Sequence, residues 1–388
     1  MVLLSAFCVR KALKYKVFTY LYYILSAFFF FYFLYYWNES FSGVWDSNRQ
    51  FSFGLFLSWL LFATLISVFF LGETFIRLLC MPFRMKKEKV IPSRRRFVSL
   101  IGLGVAAIPF AGMIYGMLWG KYNFRVIKHT LYFDDLPDAF DGYRIIHISD
   151  IHSGSFDNAE KVQYGIDMIN AQQGDVIFFT GDLVNNKAEE MLPWISHFKQ
   201  LHAKDGVYSV LGNHDYSMYI KASESIKVAN EREMVRLQRQ VGWNLLLNEH
   251  SVIRRGNDSI VIAGEENDGR PPFPSRADIH KTLQGIRSDA YVILLQHDPS
   301  AWRRNILPHS HVQLTLSGHT HGGQVSLLGL RPTWFSYRED CGLYHEQGRA
   351  LFVSSGLGGV VPFRFGVPPE IVVITLRSGS HPTNKFSD

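Results

Sequence analysis

The stretch Ile145-Ile-His-Ile-Ser-Asp-Ile-His152 decides the fold, because an apolar run hands over at its end to a carboxylate and an imidazole, Asp150 and His152. In an extended backbone alternate side chains share a face, so the spacing predicts that both groups aim at one point. Four later stretches repeat the design. Asp175-Val-Ile-Phe-Phe-Thr180 runs into Gly181-Asp182, and Val207-Tyr-Ser-Val-Leu211 runs into Gly212-Asn-His-Asp215. Tyr291-Val-Ile-Leu-Leu-Gln296 precedes His297, and Val312-Gln-Leu-Thr-Leu316 precedes Gly318-His-Thr-His321. Each run has the length and the β-branched or leucine content of a buried strand. Ligands at the carboxyl ends of such strands converge on one crevice in an open α/β sheet.

A lone D-x-H recurs by chance roughly once in a chain of this size, but an ordered series of five such handovers does not. The series D-x-H, G-D, G-N-H-D, an isolated His and G-H-x-H resembles the calcineurin-like metallophosphoesterase family over about residues 131–376. The resemblance implies a four-layer α/β sandwich, two mixed β-sheets flanked by helices. It also implies that Asp150, His152, Asp182 and His321 hold one divalent metal ion, that Asp182 bridges to a second, and that Asn213, His297 and His319 complete that second site. His214 takes the place of the family's catalytic histidine, with Asp215 expected to orient its ring. Neutral imidazoles, carboxylates and one amide oxygen suit Mn, Fe, Zn or Ni better than Ca, and the absence of thiolate argues against a closed structural zinc site.

Two such ions fit phosphoester or pyrophosphate hydrolysis. They neutralise phosphate oxygens and acidify a water that attacks in line. The glycine-rich segment Gly356-Leu-Gly-Gly-Val-Val-Pro-Phe-Arg-Phe365 suggests a loop beside the metals, with Arg364 on a phosphate and Val360, Val361 and Phe363 against an acyl chain or a bilayer.

Working outward, Val126–Phe133 reads as a first strand and Asn158–Gln172 as a crossover helix, with Val162, Ile166 and Ile169 at helical spacing. Lys187–Leu201 and Ser275–Ile286 also read as helical, and Tyr216–Val241 is expected to hold a helix beside the site. Apolar alternation around Gly256-Asn-Asp258 predicts a hairpin. Val312–Leu316, Leu351–Ser354 and Ile371–Leu376 are expected to finish a second sheet. The remaining histidines, His147 and His311 foremost, read as packing or surface residues.

The amino-terminal third differs in kind. Residues 17–37, 51–71 and 97–119 lack Asp, Glu, Lys and Arg and each suits the roughly 20 residues that cross hydrocarbon. This gives a membrane region over 1–120, a linker at 121–130, a catalytic domain at 131–378 and a tail at 379–388. Arg10, Lys11, Lys14 and Lys16 precede the first span, and Arg77, Arg84, Lys86, Lys87, Lys89 and Arg94–Arg96 lie between the second and third. By the positive-inside rule those flanks are cytoplasmic, and three crossings leave the catalytic domain outside the cytoplasm. Trp37, Trp45 and Trp119 sit where interfacial anchors are expected. Ser93-Arg-Arg-Arg-Phe97 resembles a twin-arginine export signal, though it follows two spans and equally suits plain charge anchoring.

Charge is divided accordingly. The whole chain carries 40 basic and 34 acidic residues, but residues 1–128 hold 16 of the basic and only 4 of the acidic ones. The remainder is mildly acidic, which argues against a nucleic-acid partner. Three distant cysteines, Cys8, Cys80 and Cys341, make no disulfide framework. The expected partners are a bilayer and a phosphoester substrate. Because some members of the family that the chain resembles cleave UDP-2,3-diacylglucosamine, the resemblance implies a lipid-linked substrate of that kind as one candidate, with envelope phosphodiesters fitting the outside placement better. The other reading from these residues is a non-enzymatic membrane sensor or scaffold that keeps the fold.

Overall fold

The computed structural model describes residues 1–13, 15–38, 47–81 and 92–379. Lys14, Glu39, Trp45, Asp46, the basic residues Arg84 to Lys89 and the tail from 380 lie outside the described residues, as do the side chains of Arg94 and Arg95. The chain divides into two compact units that meet in sequence at Trp119 and Gly120.

In the first unit, α1 (Val2–Ala12) is followed by α2 (Lys16–Asn38), α3 (Ser47–Cys80) and α4 (Pro92–Leu118). The last three are long and apolar enough to cross a membrane. Helix α3 exceeds the charge-free run 51–71 by more than two turns, because Glu73 and Arg77 sit one turn apart and pair with each other inside it. Trp59 of α3 donates from its indole nitrogen to Ser26 Oγ of α2 at 2.9 Å, giving a buried polar group its partner.

The second unit is a four-layer sandwich. Strands β1 (Arg125–Phe133), β2 (Arg144–Ile148), β3 (Val176–Phe179), β4 (Val207–Ser209) and β5 (Asn244–Leu245) join β12 (Glu370–Ser378) in one sheet, ordered β1-β12-β2-β3-β4-β5. The other sheet, ordered β10-β11-β9-β8-β7-β6, consists of β6 (Glu249–Arg255), β7 (Asp258–Gly264), β8 (Val292–Leu295), β9 (Leu314–Ser317), β10 (Gly342–Glu346) and β11 (Arg349–Val353). Both sheets are mixed. Strands β2 to β5 are parallel, as are β7, β8, β9 and β11.

Period-two alternation builds the layers. Ile145, Val176 and Phe178 point between the sheets, where they meet Ile262, Ile293 and Leu316. Their neighbours Ile146, Ile177 and Phe179 point outward beneath α5 (Ala159–Asn170), α6 (Ile195–Phe198) and α7 (Glu224–Gln240). Strands buried on both faces read as continuous apolar runs, which is why the sequence shows so little alternation there.

Three expectations need correction. Ile371–Leu376 does not finish the second sheet. It lies in β12, inserted in the first sheet between β1 and β2, parallel to one and antiparallel to the other. The segment 121–130 is mostly not a linker, since β1 begins at Arg125, one residue before the strand read at Val126–Phe133, and runs through the second half of that segment. Helix is also scarcer than expected, because Lys187–Leu201 forms tight 3-10 turns around Pro193 before α6, and Ser275–Ile286 supplies only α8 (Ile279–Thr282).

Phe178 is fully buried between the sheets. Phe178→Ala is expected to cost about 3–5 kcal/mol of stability. Thermal unfolding of the detergent-solubilised protein, followed by tryptophan fluorescence, would check the loss.

Candidate metal centre

Strand β2 ends at Ile148, so Asp150 and His152 are not extended as the D-x-H spacing suggested. Both adopt left-handed backbone, φ 50° and 49°, and so do Asp182 (60°), His319 (75°) and His321 (52°). A non-glycine residue in this region costs of order 1–3 kcal/mol and persists only where its surroundings fix it. Here the turns are tied to one another. Asp150 N–H donates to Gly181 O at 2.9 Å, and His152 N–H donates to Asp182 O at 3.1 Å. Gly212 and Gly318 complete the cradle by close approach, since a Cβ on either would collide with the carboxylate of Asp182 or Asp150.

The side chains converge on one crevice. Three sets of ligand atoms each lie within 4.8 Å of one another: Asp150, His152 and His321; His152, Asp182 and His214; Asp182, His297 and His319. Asp182 stands between them, its Oδ2 3.6 Å from His152 Nε2 and 3.1 Å from His297 Nε2. Asn213 Oδ1 meets His297 Nε2 at 3.2 Å and His319 Nδ1 at 2.7 Å. All of these side chains are buried or nearly so.

The arrangement fits divalent cations. His152 Nε2 and His321 Nε2 face each other at 3.1 Å, while Nδ1 of each ring is buried with no hydrogen-bond partner among the described residues. Burial holds His152 down to about 3 and His321 well below its ordinary value, so both rings are neutral in protein without metal, and His321 Nε2 lies 3.4 Å from Asp150 Oδ1. Other rings are oriented from behind. Thr180 O accepts from His297 Nδ1 at 2.7 Å, and the Tyr337 hydroxyl meets His319 Nε2 at 2.6 Å, so these imidazoles present their opposite nitrogens to the centre.

Asp215 departs from its expected role. Its carboxylate does not touch the His214 ring but accepts N–H bonds from Asp182, Leu183 and Gly212 at 2.8–2.9 Å, and from Val184 at 3.3 Å. A short carboxylate after a tight turn reaches neighbouring amides more readily than the ring beside it, which points away. The ring is held instead by Asn185 O, which accepts from His214 Nδ1 at 2.6 Å, and it stacks on Tyr219 with centroids 4.4 Å apart.

Arg364 likewise lies beneath its loop rather than at an open surface. It is buried and donates to Ser355 O at 2.8 Å and to Gly358 O, while Gly358 N–H donates to Asp150 O at 2.7 Å. An arginine in a glycine-rich turn satisfies carbonyls that no strand pairs, and through Gly358 it braces the Asp150 turn, while its Nη1 is buried with no hydrogen-bond partner among the described residues. Phe363 is also buried.

Helix α7 does not cap the crevice. Met234 and Leu237 pack it on the outer face of the first sheet, and only the turn before it delivers Tyr219 to the site. Sequence reasoning missed Thr180, Asn185, Tyr219 and Tyr337. The first two act through backbone carbonyls, which leave no trace in residue identity. Asp298, fully buried with its Oδ2 3.8 Å from His319 Nε2, could have been suspected from its place beside His297. His147 is the packing residue it was read to be, its Nε2 bonded to Thr180 Oγ1 at 2.9 Å.

Comparison with known proteins agrees with this geometry. Residues 1–121 match the family described as "Probable Calcineurin-like phosphoesterase, transmembrane domain", and residues 143–323 match "Calcineurin-like phosphoesterase". An uncharacterized metallophosphoesterase of Aquifex aeolicus is 30% identical over 275 residues, which cover 68% of this chain and 98% of the relative. A "Transmembrane protein with metallophosphoesterase domain" of Danio rerio is 28% identical over 73% of this chain and 63% of its own length. The UDP-2,3-diacylglucosamine pyrophosphatase LpxG of Chlamydia trachomatis is 27% identical over 62% of this chain and 86% of its own.

Burial would lower His297, but the Asp182 carboxylate raises it to about 10, so the ring is protonated at neutral pH in protein stripped of metal. A cation can bind that nitrogen only after the proton leaves. Apparent metal affinity is therefore expected to rise about tenfold per pH unit between pH 7 and 9. Calorimetric titration with Mn²⁺ in buffers of different ionisation enthalpy should show release of one proton.

Proposed function

This chain belongs to the calcineurin-like metallophosphoesterase family, and from that premise we propose that it is a membrane-anchored phosphohydrolase that cleaves phosphoester or pyrophosphate bonds with two divalent ions. The observation that carries the reading is the position of Asp182 between two groups of inward-facing imidazoles. Asp150, His152, Asp182 and His321 would hold one ion, and Asp182, Asn213, His297 and His319 the other. Mn, Fe, Zn and Ni suit this donor set. When bound, such a pair neutralises phosphate oxygens and supplies a nucleophile at neutral pH.

The chain's own groups do the rest. His214 keeps its Nδ1 proton on Asn185 O, so Nε2 is the nitrogen left to exchange protons with the substrate, and the ring protonates the departing oxygen from its imidazolium form, returning to neutral. Tyr219 packs flat against that ring and holds its plane. Burial alone would raise the Asp182 carboxyl, but His297 and His214 hold it well below the usual carboxylate range, so it stays an anionic ligand throughout. Asp215 positions the backbone on which Asp182 turns.

The substrate we propose is lipid-linked. The relationship to LpxG supports UDP-2,3-diacylglucosamine as one candidate. The positive flanks favour a multi-pass arrangement with the catalytic domain outside the cytoplasm, which suits envelope phosphodiesters better than a UDP-linked molecule.

Detergent-purified protein, stripped of metal and given Mn²⁺, is expected to hydrolyse a nitrophenyl monoester or diester. Asp182→Asn should lose both turnover and bound metal. His214→Asn should keep its metal, measured by mass spectrometry, while turnover falls by about 100-fold or more. Unchanged turnover in His214→Asn would remove that residue from the mechanism.

A further inference from the structure

Directly after His321 the chain forms a loop that no packing requirement explains. Leu328 and Phe335 are each 96% exposed, Leu330 is 64% exposed and Trp334 is half-exposed. Leu327 and Leu330 exchange backbone hydrogen bonds at 3.0 and 3.1 Å, closing a two-residue turn with Leu328 at φ 53° and Gly329 at φ 85°. Turns with positive φ at both central positions favour Asn, Asp or Gly. A leucine there is sterically strained, and its side chain contributes nothing to the fold.

The loop is attached to the metal centre at both ends. It leaves from Gly322-Gly323, where Pro332 and Thr333 pack back against Gly323, and it returns through Tyr337, whose hydroxyl meets His319. It also shares a rim with the point where the chain enters the catalytic unit. Lys121 and Tyr122 line a small cleft with Gln324, Val361 and Pro362, and Ser326 N–H donates to Phe365 O at 2.7 Å beside that cleft. Helix α4, the last of the three membrane-length helices, ends at Leu118, only three residues before Lys121.

We propose that the loop Ser326–Phe335 inserts its leucine and aromatic side chains into the bilayer surface and sets the mouth of the metal centre against it. The substrate class is then a phosphate headgroup presented from the membrane, a conclusion that rests on the phosphohydrolase reading. Four large apolar side chains on one short loop, with the tether on the same rim, match the chemistry of an interfacial anchor. Arg338, exposed and next in sequence to Tyr337, suits the phosphate level of the surface.

Two measurements on the full-length protein in phosphatidylcholine–phosphatidylglycerol vesicles test this. Leu328→Cys, with Cys80→Ser and a labelling blank that lacks the new cysteine, would carry an environment-sensitive fluorophore. Quenching by lipids with a nitroxide near the headgroup is expected. A label that shifts to the blue without such quenching would assign the loop to a protein contact, such as a second copy of this chain, and no shift at all would leave it in water. Either overturns the proposal.

The double variant Leu328→Asp/Phe335→Asp is expected to hydrolyse soluble nitrophenyl ester unchanged. On a long-chain phospholipid ester in the vesicles its kcat/KM should fall about tenfold or more. Equal losses on both substrates, or none on either, would overturn the membrane-presented substrate. Failure of the unaltered protein on every ester would instead remove the phosphohydrolase reading, while the quenching measurement still decides the anchor.

Discussion

A carboxylate cannot stay ionised in a buried crevice unless positive charge or N–H donors surround it, and Asp182 is the point where this constraint acts. One of its oxygens accepts the His214 N–H at 2.8 Å, and the other faces His152 and His297. Those rings come from the ends of different strands, so the sheets must hold a fixed register for the charge to be compensated. Behind the rings stand Thr180, Asn185 and Tyr337. Asp215 fixes the turn from the other side by taking the amides of the Asp182 segment.

The strain in the centre follows from the same demand. Five of its residues occupy left-handed backbone, where each is disfavoured alone. The sandwich beneath them offsets that cost. Between the sheets, and under the helices on each outer face, lies dense apolar packing that includes Phe178, Phe179 and Trp302. Rigid strands carry the strained turns, and binding groups sit on the turns.

Much of this was legible in the sequence, and the reason is local. Apolar runs mark buried strands, and a ligand immediately after a run has to lie at its end, so Asp150, Asp182, His297 and His319 could be placed together without any knowledge of topology. What could not be read was which strand neighbours which. The C-terminal strand looked like part of a second sheet because it follows others in sequence, yet it pairs with β1 and β2. The backbone torsion at Asp150 was equally hidden, since the spacing D-x-H serves an extended or a left-handed pair alike. The backbone partners of Asp215 and Arg364 were hidden too, because residue type cannot tell a group that meets a reactant from one that satisfies nearby backbone.

The insertion of β12 also governs the order in which the protein can be made. Arg125, just beyond the membrane helices, pairs in register with Glu370, near the other end of the described chain. Among the described residues no other strand borders β1. As the polypeptide emerges from its hydrophobic amino-terminal part, that first strand has no partner until nearly the whole catalytic unit has been synthesised. The parallel core of β2, β3 and β4 can form earlier from neighbouring segments, but the seam that joins it to the anchored strand closes last. A ribosome that stalls short of residue 370 would leave a tethered, open-edged sheet at the membrane, with its ligand turns built and its attachment unfinished.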